Sequence, residues 1–137
     1  MRNTSQGFSL IELLVVLVIL GLIAGLVVPN IMGRGEDAKA RTAVAEVQRL
    51  SMAADEFYLD TGRAPRELRE LVERPGNVSN WNGPYINESN LKDPWGKQYG
   101  YRFPGEHRSV GPDIFSHGRD GQPGGEGPDG DIENWNQ

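Results

Sequence analysis

An uninterrupted apolar segment dominates the first quarter of the chain. Every residue from Leu13 to Val28 is either apolar or glycine. Counted from Phe8 the stretch has about 21 residues, and at about 1.5 Å per residue a helix of that length spans the roughly 30 Å hydrocarbon layer of a bilayer. The pattern therefore predicts a membrane-spanning helix. The alternative, a buried core helix, would need more covering domain than the remaining sequence supplies.

Beyond Gly35 the pattern changes from uniformly apolar to amphipathic. Apolar residues recur at three- and four-residue spacing, with charged residues mostly between them, as expected for a helix that covers a small domain. These apolar positions are Val44, Val47, Leu50, Ala54 and Phe57. Thr61-Gly62 and then Pro65 supply a stop signal. We therefore predict one long helix from Phe8 to Leu59, half membrane anchor and half scaffold of a domain.

The remaining sequence predicts a few short elements. Residues 65–72 indicate a short helix with proline in its first turn. A loop rich in Asn, Gly and Pro covers residues 76–94, where Trp81, Tyr85 and Ile86 serve as packing anchors. Residues 97–103 alternate with period two and predict a strand, and residues 110–116 predict a weaker one. The fold class is therefore α+β, with a long N-terminal helix packed on a small antiparallel sheet.

Composition and charge exclude several classes of function. The 137 residues fit a single domain, and the chain has no cysteine, so disulfides and thiolate metal sites are excluded. A net charge of −5 argues against a nucleic-acid partner. His107 and His117, its two histidines, lie in polar, turn-rich sequence, and there is no P-loop, Gly-x-Ser-x-Gly or His-Glu-x-x-His motif. We therefore predict that the protein is not an enzyme.

The residues that flank the apolar segment carry further information. The opening residues 1–7 form a short polar leader, and no small-residue cleavage site follows the apolar run, so the segment is expected to be retained. Arg2 favours a cytoplasmic N-terminus and an extracytoplasmic C-terminal domain. Glu12 stands out, because a carboxylate at the centre of a membrane helix costs about 2.5–3.5 kcal/mol and usually marks a function. The alternative is an interfacial side chain that reaches the headgroups.

Gly7-Phe8-Ser9-Leu10-Ile11-Glu12 and the apolar helix that follows resemble the signal of type IV prepilins and of the pseudopilins of type II secretion. The resemblance implies that a prepilin peptidase cuts after Gly7, that the new N-terminal residue Phe8 is N-methylated, and that Glu12 guides assembly. It divides the chain into a leader (1–7), a transmembrane and polymerisation helix (8–30) and an extracytoplasmic domain (31–137). The amine created at Phe8 could then neutralise Glu12 of a neighbouring subunit inside an apolar fibre.

Three later segments, residues 81–85, 93–101 and 116–121, are similar to the major pseudopilins of the type II secretion system. This resemblance implies a structural subunit of a periplasmic fibre that drives export of folded proteins across the outer membrane. Its implied partners are further copies of the chain, the prepilin peptidase, the inner-membrane assembly platform and minor pseudopilins, and its implied location is the bacterial inner membrane, crossed once. Residues 66–79 show no detailed correspondence.

Two other non-enzymatic functions remain open from the sequence. One is a type IV pilin of an adhesive or motility fibre, and the other is a membrane-tethered binding module that never polymerises. A signal that is cleaved after Gly7 disfavours the tether. The absence of cysteine disfavours pilins that close their C-terminal region with a disulfide.

The acidic segment of residues 120–131 predicts a cation site. Its carboxylates are separated by Gly and Pro and would repel one another, and calcium accepts six to eight oxygen ligands in flexible geometry. We expect calcium to bind the side chains of Asp120, Asp129 and Asp131. The resemblance points to the same loop and to backbone carbonyls, for which His117 and Gln122 are candidates, with Glu126 in reserve. The alternative is a solvated acidic tail.

Overall fold

The computed structural model describes the backbone of residues 7–136, together with their side chains except those of residues 28–32. One α-helix, α1, runs over Leu10–Thr61. Three short 3-10 turns follow at Leu68–Leu71, Glu88–Leu91 and Gly127–Asp129. The strands are β1 (Gly100–Arg102), β2 (Asp113–Ser116) and β3 (Ile132–Glu133). The predicted leader residues 1–6, including Arg2, and the side chain of Pro29 lie outside this description.

The helix α1 begins and ends within two residues of the predicted bounds. At its start the carbonyl of Ser9 accepts the N–H of Leu13 at 3.2 Å. At its end Gly62 has φ +76°, a left-handed conformation that glycine adopts without strain. The N–H of Gly62 donates to the carbonyl of Tyr58 at 2.8 Å, which closes the last turn. The stop signal read from Thr61-Gly62 is thus confirmed.

The chain divides into two compact units, one ending at Gly35 and the other beginning at Glu36. In the first unit, the stretch Leu10–Val27 has a mean hydropathy of 3.0 and none of it is buried. This part of α1 is long and apolar enough to cross a membrane. The prediction that the apolar run is not a buried core helix is therefore confirmed.

In the second unit, α1 supplies one side of the core. Val47, Leu50, Ala54 and Phe57 are buried, as the periodicity predicts. Val44 is 39% exposed, so its assignment to the core was wrong. Ala43 lies four residues before Val47 and therefore shares the buried face of the helix. Val44, the next residue along, is rotated away from that face.

The sheet has the order β1-β2-β3 with both pairs antiparallel. Its central strand contributes Ile114, which is fully buried. The strand predicted at residues 97–103 is shorter in the structure, because residues before Gly100 pair elsewhere: Tyr99 N–H donates to Leu91 O at 3.2 Å. The strand β3 was not predicted, since a two-residue strand is too short to show an alternating pattern.

The helix predicted over residues 65–72 is only a single 3-10 turn. Its N-cap, Glu67, has extended backbone angles (φ −151°, ψ 158°), so the turn starts no earlier than Leu68. Leu68 and Leu71 are both buried, which suits a 3-10 turn because its side chains at i and i+3 eclipse. Glu70 in this turn forms an ion pair at 2.7 Å with Arg63, which lies two residues after the end of α1.

Candidate processing, assembly and cation sites

The N-terminal site lies at the start of α1. Ser9 caps the helix: its hydroxyl oxygen accepts the N–H of Glu12 at 3.2 Å. Ser9 and Glu12 are three residues apart, the spacing of a capping box, and a carboxylate in the first turn is favoured by the helix dipole. Glu12 is exposed and makes no ion pair within the described residues. Its charge therefore lacks a neutralising partner among residues 7–136.

Gly7 and Phe8 precede this helix. Phe8 is 79% exposed. A Cβ added at Gly7 would meet nothing within 4 Å, so the described fold offers no steric reason for glycine there. Both residues are thus accessible.

Glycine residues allow separate parts of the C-terminal loop to approach one another closely. Gly118 has φ +66°, and a Cβ at this position would lie 2.7 Å from the carbonyl oxygen of Pro128. Arg119 N–H donates to the same oxygen at 2.9 Å. These contacts fold residues 118–128 back on themselves, while residues 122–127 remain exposed to solvent.

Two of the three predicted calcium ligands have cationic or polar partners in this loop. The Arg119 guanidinium binds Asp129 through two hydrogen bonds of 2.8 and 2.7 Å. Those hydrogen bonds lower the pKa of Asp129, and Asp129 raises the pKa of Arg119. Asp131 accepts from the His117 ring at 2.8 Å and from Gly124 N–H at 2.9 Å.

Asp120, the third predicted ligand, is exposed, and among the described residues its side chain accepts one hydrogen bond, from the N–H of Gln122 at 3.0 Å. Within residues 7–136, no group of three or more His, Cys, Asp or Glu side chains is placed to share a metal ion. The structure thus brings Asp120, Asp129 and Asp131 into one loop without joining their carboxylates at one point.

Sequence reasoning missed a buried aspartate that anchors this loop. Asp93 is 6% exposed, and its Oδ1 accepts the N–H groups of Trp95 at 3.1 Å and Lys97 at 2.9 Å. Its Oδ2 accepts the Ser116 hydroxyl at 2.7 Å, and Ser116 in turn accepts Gly118 N–H at 3.2 Å. The available signal was the Asp-Pro-Trp-Gly turn, in which an aspartate commonly accepts backbone N–H groups further along the chain.

A second missed aspartate, Asp113, closes the loop between β1 and β2. It is 1% exposed and accepts from the backbone N–H groups of Glu106 at 2.8 Å and His107 at 3.1 Å. The His107 ring adds a third contact at 2.9 Å and stacks on Trp135 at a centroid distance of 4.3 Å. His107, one of two histidines considered for catalysis, thus holds the loop in place.

Comparison with known proteins identifies the family. The profile described as "Type II secretion system (T2SS), protein G" matches residues 30–135, and that of the "Prokaryotic N-terminal methylation motif" matches residues 2–28. Proteins named "Type II secretion system core protein G" match from Xanthomonas campestris pv. campestris (40% identity, 96% of this chain and 91% of the relative) and Vibrio cholerae serotype O1 (43%, 95% and 91%).

A solved structure agrees with these matches. It is the major pseudopilin from the type 2 secretion system of enterohaemorrhagic Escherichia coli, with 35% identity, a TM-score of 0.61, and coverage of 80% of this chain and 92% of that one. The long helix followed by a small antiparallel sheet is therefore the pseudopilin fold, and the predicted resemblance is confirmed. The chain belongs to the type II secretion system protein G family.

Proposed function

We propose that this chain is a structural subunit of the type II secretion pseudopilus, made as a membrane precursor, cut after Gly7 and N-methylated at Phe8. The observation that carries the proposal is the apolar stretch Leu10–Val27, none of which is buried, headed by the carboxylate of Glu12, which makes no ion pair within residues 7–136. Such a surface is stable in a bilayer before assembly and between neighbouring subunits afterwards. We assign the chain no catalytic role.

Glu12 acquires its partner on assembly. Cleavage after Gly7 creates a positive α-amino group at Phe8, and an axial offset between subunits brings the amine of one to Glu12 of the next. Leaving either charge unpaired in an apolar fibre would cost several kcal/mol, so the pair fixes the register of the subunits as well as attracting them.

Replacing Glu12 tests this assembly role. We expect Glu12→Ala to insert and to be cleaved normally, because the apolar segment and Gly7 are unchanged, but to form at least tenfold fewer fibres in material sheared from cells. Glu67→Ala, which removes an exposed acid of the folded domain, is the matched control and should assemble normally. Wild-type amounts of fibre from Glu12→Ala would refute the pairing.

The proposed location and partners follow from the same processing. The chain crosses the bacterial inner membrane once, with its N-terminus cytoplasmic and its folded domain periplasmic. Its partners are the prepilin peptidase, the inner-membrane assembly platform, minor pseudopilins and further copies of itself. The fibre then acts in export of folded proteins across the outer membrane.

We also propose that calcium is a resident ion of the C-terminal loop. The donor set fits, because the side chains of Asp120, Asp129 and Asp131 and the backbone carbonyls of His117 and Gln122 are oxygen ligands, the type that calcium prefers. A bound calcium ion would supply positive charge that offsets the repulsion among these carboxylates. The exposed Asp120 carboxylate, with one backbone hydrogen bond, supports the proposal because it remains free to bind a cation.

Thermal unfolding of the domain that begins near Gly33 tests this site. Calcium at a hundredfold excess over its Kd should stabilise the folded state by about 2.7 kcal/mol, and magnesium should do so less. Asp120→Ala should remove the shift without breaking the Arg119–Asp129 pair, and Glu88→Ala serves as an exposed control. A melting temperature that is the same in calcium and in chelator would refute the site.

A further inference from the structure

The ion pair between Arg119 and Asp129 occupies a carboxylate that the proposed calcium site needs. Arg119 Nε donates to one oxygen of Asp129 at 2.8 Å, and Arg119 Nη2 donates to the other at 2.7 Å. Both oxygens of this carboxylate therefore have a guanidinium partner. Because calcium also binds carboxylate oxygens, the guanidinium and the ion compete for the same two atoms.

The backbone of Arg119 is held independently of its side chain. The Arg119 N–H donates to the carbonyl of Pro128 at 2.9 Å, and the Arg119 carbonyl accepts a hydrogen bond from Lys97 Nζ. The Arg119 side chain, in contrast, is 51% exposed, and an ion pair this open to water contributes little to stability. The guanidinium can therefore leave Asp129 while the backbone of the loop stays folded.

A second carboxylate lies within electrostatic reach of Arg119. The hydrogen bonds to Asp129 raise the pKa of Arg119 most, and the charge of Glu36 raises it further. Glu36 lies in the folded part of α1, where it accepts the indole N–H of Trp95 at 2.7 Å and pairs with Lys39 at 3.0 Å. A guanidinium that leaves Asp129 thus keeps an anionic neighbour, which lowers the cost of its release.

We propose that Arg119 is a built-in competitor of calcium, whose guanidinium binds Asp129 when the ion is scarce and leaves it when the ion binds. The inference rests on the proposed calcium site and specifies a residue that sets its affinity. The competition weakens calcium binding towards the range of about 10⁻⁴–10⁻³ M that is typical of extracellular calcium modules. The loop then takes up calcium only where the ion is abundant.

Calorimetric titration of the full-length chain in detergent with calcium chloride tests the competition. Arg119→Ala should lower the Kd for calcium by about threefold to tenfold, because it removes a bidentate ion pair and a positive charge beside the ion. Arg119→Lys keeps the charge but cannot make both hydrogen bonds, so its Kd should lie between those two values. Arg102→Ala removes a similarly exposed, paired arginine of β1 and should keep the wild-type Kd.

Thermal unfolding of the same proteins gives a readout that a purely structural ion pair would not produce. In chelator, Arg119→Ala should melt below wild type, because Asp129 loses its partner and is repelled by Asp120 and Asp131. In saturating calcium the variant should melt at least as high as wild type, because the ion replaces the guanidinium and binds more tightly. A pair that only braces the loop would give the same deficit in both conditions.

The outcomes separate the competition from the calcium site itself. Equal Kd values for wild type and Arg119→Ala, or a melting deficit that is the same in calcium and in chelator, would overturn the competition and leave the calcium site standing. Calcium binding by Arg119→Ala without measurable binding by wild type would support the competition in its strongest form. If neither protein binds calcium, the calcium site and this inference both fail.

Discussion

At the scale of single residues, buried carboxylates accept more of the hydrogen bonds that hold the loops in place than the sequence indicated. The acidic loop with Asp120, Asp129 and Asp131 was noticed because its composition is unusual. Asp93 and Asp113 were missed because a lone aspartate in a polar loop shows no periodic signal, and its burial depends on contacts with residues distant in sequence. Removing Asp93 would leave the Ser116 hydroxyl and two backbone N–H groups without their acceptor, at a cost of about 1–3 kcal/mol for each that stays buried.

Asp113 gives the domain a predictable response to acid. Burial alone would raise the pKa of Asp113, but hydrogen bonds from the His107 ring and from the N–H groups of His107 and Glu106 outweigh burial and lower it. A folded pKa below the unfolded value of about 3.9 contributes stability that is present above that pH and lost as the pH falls through the folded pKa. The pKa values of Glu36 and Glu70 are lowered as well.

We therefore expect the free energy of unfolding to be nearly constant between about pH 5 and 7 and to fall below about pH 4. Asp113→Asn should be less stable than wild type at pH 6, because it loses the charged acceptor, and should lose less stability on acidification. Urea unfolding of the domain beginning near Gly33 at several pH values measures both. Parallel pH dependences of variant and wild type would contradict this role of Asp113.

At the scale of elements, hydrophobic periodicity predicted the long helix α1 but failed for the short 3-10 turn and the short strand β3. The 52 residues of α1 gave many repeats of the helical pattern, so its bounds were predicted closely. One position, Val44, was placed on the wrong face, because alanines such as Ala43 can occupy the core as well as larger residues do. The 3-10 turn at Leu68–Leu71 and the strand β3 are set by tertiary contacts, and two to four residues carry too little pattern to predict them.

The two faces of α1 should respond differently to truncation. Phe57 is fully buried, stacks edge-on against Tyr85 at 5.7 Å and lies under the Arg63 guanidinium at 5.3 Å. We expect Phe57→Ala to destabilise the domain by about 3–5 kcal/mol. Leu59→Ala, two residues away on the exposed face, should change stability by less than about 0.5 kcal/mol.

Thermal or urea unfolding of the two variants measures this contrast. Equal destabilisation would mean that the helix is packed on both faces within one chain. The Leu59→Ala variant also tests assembly. If it folds normally but assembles poorly, Leu59 belongs to a surface used between copies.

At the scale of the whole molecule, the fold class was predictable from the sequence. It follows from the change in hydropathy near Gly35, beyond which an amphipathic pattern replaces the apolar run. The arrangement of the acidic loop was not predictable, because Arg119 and the His117 ring take up two of its carboxylates through contacts that spacing does not encode. Contacts with Arg119 and His117 thus hold the acidic loop. The exposed apolar stretch Leu10–Val27 is the reason that we expect the chain to assemble.

N-terminal mass spectrometry of the protein, purified from the membrane and fibre fractions of a host that contains a prepilin peptidase, tests the proposed processing most directly. We expect a mature chain that begins at an N-methylated Phe8, because Gly7 is accessible and plays no packing part in the described fold. Gly7→Leu should block the cut and leave the precursor. A wild-type chain that still begins at Met1 in fibres would contradict the proposal that cleavage precedes assembly.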